Sequence, residues 1–87
     1  MASYKLSFKR TAEKELRKIP SPDLRRVIKA IQALAHDPRP SDVRMLKGPN
    51  RYWRIRQGDY RVIYEIDDTA KQIVVIKVGN RRDVYEA

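Results

Sequence analysis

The sequence has 87 residues, enough for one domain with one modest core, and no cysteine, which excludes a disulfide framework and a thiolate zinc site. Its 20 Lys and Arg against 11 Asp and Glu leave a net charge of +9, a field that favours an anionic partner, most simply nucleic acid, over a neutral or acidic one. No run approaches the ~20 apolar residues of a membrane span, and residues 1–10 lack the apolar stretch of a signal segment, so a cytoplasmic protein without membrane contact is expected.

Residues 4–8 (Tyr-Lys-Leu-Ser-Phe) alternate apolar and polar side chains, the period of a half-buried strand. From Lys9 the period changes. Ala12, Leu16 and Ile19 recur at helical spacing, and Glu13 and Arg17 form an i,i+4 pair on the exposed side. Pro20 ends this helix. Ser21-Pro22-Asp23 reads as an N-cap, a proline at the first helical position and an acid in the first turn. Leu24, Val27, Ile28, Ile31, Leu34 and Ala35 then share one face of a second helix, which stops at His36-Asp37-Pro38. His36 falls at the helix C-terminus, where partial positive charge suits the dipole. It reads as a surface or capping residue.

Residues 43–47 make a short strand candidate, closed by Gly48-Pro49-Asn50. Two alternating runs, 52–57 and 60–66, flank Gly58-Asp59, the signature of a tight hairpin. Residues 67–70 supply another turn. Residues 72–78 are rich in Val and Ile and should form a well-buried strand, and residues 79–87 read as a polar tail. The order β-α-α-β-β-β makes residues 1–87 a single α+β domain. It should hold an N-terminal strand, a two-helix hairpin and a three- to four-stranded, mostly antiparallel, curved sheet.

A two-residue loop at Gly58-Asp59 would set Arg56 opposite Arg61, Ile55 opposite Val62, Arg54 opposite Ile63 and Trp53 opposite Tyr64. Side chains alternate between the faces of a sheet. Trp53, Ile55, Val62 and Tyr64 would then lie under the helices, with Arg54, Arg56 and Arg61 on the opposite, open face beside Ile63 and Glu65. Like charges facing one another on a sheet are destabilising unless an anion or water screens them. The planar guanidinium fork suits phosphate, to which it donates two hydrogen bonds at once. Arg44, Lys47 and Arg51 add to this basic stretch, which Asp59 alone opposes. Arg81, Arg82 and Tyr85 follow the last strand, where a tyrosine can stack on a base or move a proton. An ordinary solvated basic surface, with Tyr85 packed on the sheet, is the plainer alternative.

The run from Arg51 to Tyr64 resembles the central hairpin of RelE/ParE toxins, the toxic halves of toxin–antitoxin pairs. Leu46-Lys47-Gly48 is similar to the segment that precedes that hairpin, residues 78–85 (Val-Gly-Asn-Arg-Arg-Asp-Val-Tyr) to the family's closing motif, and residues 8–16 to its opening. The resemblance implies a RelE-like fold and a RelE-type active site at Arg54, Arg56, Arg61, Arg81 and Tyr85, with Arg44, Lys47, Arg51 and Arg82 binding RNA around it. It implies ribosome-dependent cleavage of mRNA in the ribosomal A site by attack of a ribose 2′-hydroxyl, with no metal and no cofactor. Its partners would be a cognate antitoxin, in a hetero-oligomer, together with the ribosome and mRNA. Arg54 and Arg56 depart from the lysines common at those positions, and arginine does not act as a base. Three other activities fit the same residues: ParE-like inhibition of DNA gyrase, RNA binding without cleavage, and an inactive toxin kept for repression.

Overall fold

A computed structural model describes residues 3–80. The alternation at the N-terminus becomes β1 (Lys5–Phe8), with Leu6 and Phe8 packed against the core. Helix α1 (Arg10–Arg17) follows, then α2 (Ser21–Leu34). The start of α2 differs from expectation by one residue. Pro20 is its N-cap, Ser21 is already helical, and no side chain caps the turn. The extended backbone of Pro20 (φ −58°, ψ 147°) presents its carbonyl to Leu24 N–H at 2.8 Å, so the backbone itself opens the helix.

Four more strands complete the fold: β2 (Arg44–Met45), β3 (Tyr52–Gln57), β4 (Tyr60–Asp67) and β5 (Gln72–Asn80). They form one sheet in the order β1-β5-β4-β3-β2, with β1 parallel to β5 and every other pair antiparallel. The α+β architecture is as expected, with β1 joining the sheet as its fifth strand. Strand β2 is shorter than residues 43–47. Strand β5 runs further than expected, because Gly79 and Asn80, read as tail, pair with Arg61 and Tyr60. Composition marked those two residues as polar, but the ladder of β4 continues to its first residue and draws them in.

The helices cover one face. Ala12 and Ile19, from α1 and just beyond it, pack with Val27, Ile31 and Leu34 of α2 onto Ile55, Val62, Tyr64, Ile73, Val75 and Val78. Full burial of such side chains contributes roughly 1.5–3 kcal/mol each. Tyr64 is wholly buried, and its hydroxyl donates to the Pro38 carbonyl at 2.6 Å, tying β4 to the segment after α2. Burial pushes the Tyr64 hydroxyl well above the ordinary tyrosine pKa.

Because β1 pairs only with the first half of β5, the second half would present an open edge. Helix α1 closes it. Lys9 N–H donates to the Val75 carbonyl at 2.9 Å, Thr11 Oγ1 to the Ile76 carbonyl at 3.4 Å, and Val78 N–H to Glu15 Oε1 at 3.1 Å. Covering an edge with a helix removes a template for unwanted strand pairing. Among the described residues no helix is long and apolar enough to cross a membrane.

Candidate nucleic-acid interface

The β3–β4 hairpin has the register expected for a two-residue loop. Arg56 faces Arg61, Ile55 faces Val62, Arg54 faces Ile63 and Trp53 faces Tyr64. Gly58 occupies the left-handed region (φ 61°) that such a turn requires. Arg54, Arg56 and Arg61 therefore share the sheet face away from the helices.

The ladders extend this face into two cationic rows. In one, Arg44 of β2 lies opposite Arg54, Arg54 opposite Ile63, and Ile63 opposite Lys77 of β5. In the other, Arg56 and Arg61 lie side by side, followed by Gly79. The exposures differ, and the expectation of a uniformly open face fails here. Arg56 is exposed and Arg61 half-buried, but Arg54 keeps only 3% of its surface and Ile63 only 5%. Both sit mid-sheet, flanked by paired strands. Ile63 stands outside the main core cluster, so this part of β4 is buried on both faces. Loss of water, and then the repulsion of Arg56 and Arg44, lower the pKa of Arg54, while Asp42 raises it. A guanidinium remains charged through such a shift, so Arg54 is a fixed, poorly hydrated positive charge.

Lys77 went unrecognised in the sequence. A β-bulge between the Ile63–Lys77 and Tyr64–Val75 pairs inserts Ile76 as an extra residue. Val75 and Val78 both reach the core despite their odd spacing, and Lys77 joins the arginine face. The signal was there in the failure of strict alternation over residues 72–78. Lys77 Nζ also lies 3.5 Å from Glu15 Oε2. Of the other expected contacts, Arg44 is on the face, Lys47 is exposed in the β2–β3 loop, and Arg51 is exposed just before β3. Arg81, Arg82 and Tyr85 lie outside the described residues. Asn80, the last described residue, pairs with Tyr60 at the hairpin end of β4.

Arg39 is engaged elsewhere. It forks onto Asp68, with Nη2–Oδ2 at 2.9 Å and Nη1–Oδ1 at 3.3 Å, and its guanidinium lies 4.9 Å from the centre of the Trp53 ring. Tyr4 donates to the same carboxylate at 2.6 Å. His36 is exposed beyond the end of α2. Among the described residues no group of three or more His, Asp or Glu is placed to share a metal ion.

The family model for the ParE toxin of type II toxin–antitoxin systems, parDE, matches residues 6–85. The chain belongs to the RelE/ParE superfamily of toxins. It is 30% identical over 83 residues to toxin RelG of Mycobacterium tuberculosis, an alignment covering 94% of this chain and 95% of that protein. Two solved structures resemble it closely. The RelBE2 toxin–antitoxin complex of M. tuberculosis gives a TM-score of 0.82 at 29% identity, covering 95% of this chain and 97% of the other. The archaeal RelE–RelB complex of Pyrococcus horikoshii gives 0.81 at 30% identity, covering 94% and 99%. Within the RelE/ParE superfamily the matching model carries the ParE name and these relatives carry Rel names.

Proposed function

We propose that this toxin is a metal-independent endoribonuclease that cleaves mRNA in the ribosomal A site, and that a cognate antitoxin binds it and holds it inactive in the cytoplasm. The observation that carries the reading is the placement of Arg54, Arg56 and Arg61 on one face of the hairpin, with Arg56 directly opposite Arg61. Guanidinium groups so placed repel one another unless water or an anion screens them, and a phosphodiester is an anion that the guanidinium fork fits well. The antitoxin follows from the similar structures, which are toxin–antitoxin complexes.

In the proposed reaction a ribose 2′-oxygen attacks the adjacent phosphorus as its proton leaves. The bond to the 5′-oxygen breaks and that oxygen takes up a proton, leaving a 2′,3′-cyclic phosphate and a 5′-hydroxyl. Negative charge accumulates on the phosphoryl oxygens in the transition state. Arg61, with Arg81, stabilises it, while Arg54 and Arg56 hold the backbone. Tyr85 stacks on a base or assists proton transfer. Neither Arg54 nor Arg56 serves as the base, since arginine keeps its proton.

The test is induction in bacteria with primer extension on an abundant message, beside Arg61→Ala and Arg81→Ala variants. Cuts within translated codons that vanish in both variants are the expected result. Full toxicity in the double variant would overturn the catalytic assignment. The ParE name of the matching family model favours a second reading, gyrase inhibition. Growth arrest with intact message, and loss of supercoiling activity by purified gyrase, would establish it. Absence of arrest would point to a binding module or an inactive toxin.

A further inference from the structure

We propose that a groove on the arginine face, walled by Tyr52, binds one nucleobase of the RNA strand whose phosphates lie on the arginines. This rests on the RNA-binding reading above. The groove measures about 270 Å³ and runs between the β2–β3 loop and the strands, with Leu46, Tyr52, Ile63 and Ile76 supplying its apolar and aromatic surface and Lys47 and Lys77 its cations. That volume lies just below the range of pockets for drug-sized molecules, so it suits a single flat heterocycle and not a longer ligand.

The position follows from strand geometry. Tyr52 and Arg54 are alternate residues of β3, so they share a face and stand roughly 7 Å apart along the strand. Ile63, buried beneath the groove, lies directly opposite Arg54. A phosphate on the arginine rows therefore has the groove within reach of its own or its neighbour's base. The charges divide the ligand in the same way. Lys77 on the groove wall is 3.5 Å from the Glu15 carboxylate, which offsets its charge and disfavours a phosphate there. Glu65, directly opposite Tyr52 on the same face, disfavours an anion there as well. The uncharged part of a nucleotide belongs in the groove, and its anion on the rows. The half-buried Tyr52 offers an aromatic surface on which a base of any identity can stack. Gly48, at φ 131°, shapes the loop wall with a backbone conformation that side-chain-bearing residues rarely adopt.

The test measures binding of the full chain to a fluorescent 2′-O-methyl RNA tetranucleotide, which resists cleavage, in intact form and with one abasic residue at each position in turn. At one position the abasic substitution should weaken binding on the order of tenfold. Tyr52→Ala should erase that difference, and Tyr52→Phe should retain it. Circular dichroism and thermal melting confirm that each variant is folded. Equal affinity for intact and abasic strands would overturn the groove while leaving the arginine platform standing. So would a positional penalty that survives in folded Tyr52→Ala. If Tyr52→Ala weakened only antitoxin binding, the groove would belong to the protein partner and the proposal would fall. Absence of binding to any strand at low salt would sink the platform reading itself, and the groove with it.

Discussion

At the residue scale, Arg54 carries its charge where the sheet leaves it little water, and its neighbours Arg56 and Arg44 add repulsion. An arginine tolerates this without losing its proton, but a lysine in the same place would not hold its ordinary pKa. Arg54→Lys should therefore give single-turnover cleavage a limb that falls as pH rises, set below the usual lysine range, as the lysine loses the charge that holds the backbone. The wild type should show no such limb from this position, and pH–rate profiles of both proteins check it. Asp68 illustrates the opposite sign. The Arg39 fork, and then the Tyr4 hydroxyl, hold its carboxyl at about 2, against an ordinary value of 3.8. A carboxylate whose folded pKa is depressed stabilises the fold above its unfolded pKa, and loses that contribution as pH falls through the folded value. Thermal melts should therefore show wild type above Asp68→Asn at pH 5 to 7, with the gap closing between about pH 4 and 2. A gap that persists at pH 2 would mean the contribution is not the ionised carboxylate's.

At the element scale, the edge of β5 depends on one helix. Glu15 of α1 accepts the Val78 N–H and lies against Lys77, holding the stretch of β5 that leads towards Arg81. Glu15→Ala leaves a buried backbone donor without this acceptor, at a cost of about 1–3 kcal/mol. Amide exchange at Val78 should accelerate selectively, with Val62 in the central ladder little changed. Uniform acceleration would instead indicate a global loss of stability. The hairpin is the element whose arrangement follows most directly from its residues. Gly58-Asp59 admits a tight turn, and the alternation on either side then fixes which residues meet. The start of α2 was less legible. Ser21 and Pro20 are both acceptable before a helix, and the choice rests on the backbone path out of α1.

At the scale of the whole molecule, the helices and sheet sort the charge. The apolar residues of one sheet face are consumed by α1 and α2, while the opposite face collects Arg44, Arg54, Arg56, Arg61 and Lys77. Binding to single-stranded RNA should weaken steeply with salt. With four to six phosphate contacts, log K should fall against log salt with a slope of about −3 to −4. Titrations between 50 and 200 mM salt measure it, and Arg56→Ala should reduce the slope by about 0.7. A slope near zero would mean that the cationic rows do not engage phosphate.

The order of elements, the hairpin register and the sharing of one face by Arg54, Arg56 and Arg61 were legible from the residues alone. Each is a local consequence of periodicity and turn chemistry within a few residues. How those residues meet water and one another depends on the packing of distant segments. The burial of Arg54 and Ile63 depends on strands flanking them on both sides. Lys77 reaches the arginine face through a bulge that satisfies the core at Val75 and Val78 together. The groove at Tyr52 exists because the β2–β3 loop folds beside Ile63 and Ile76, residues distant in the chain. Burial and side-chain neighbourhood are set by contacts between segments, which the local pattern of a sequence does not contain.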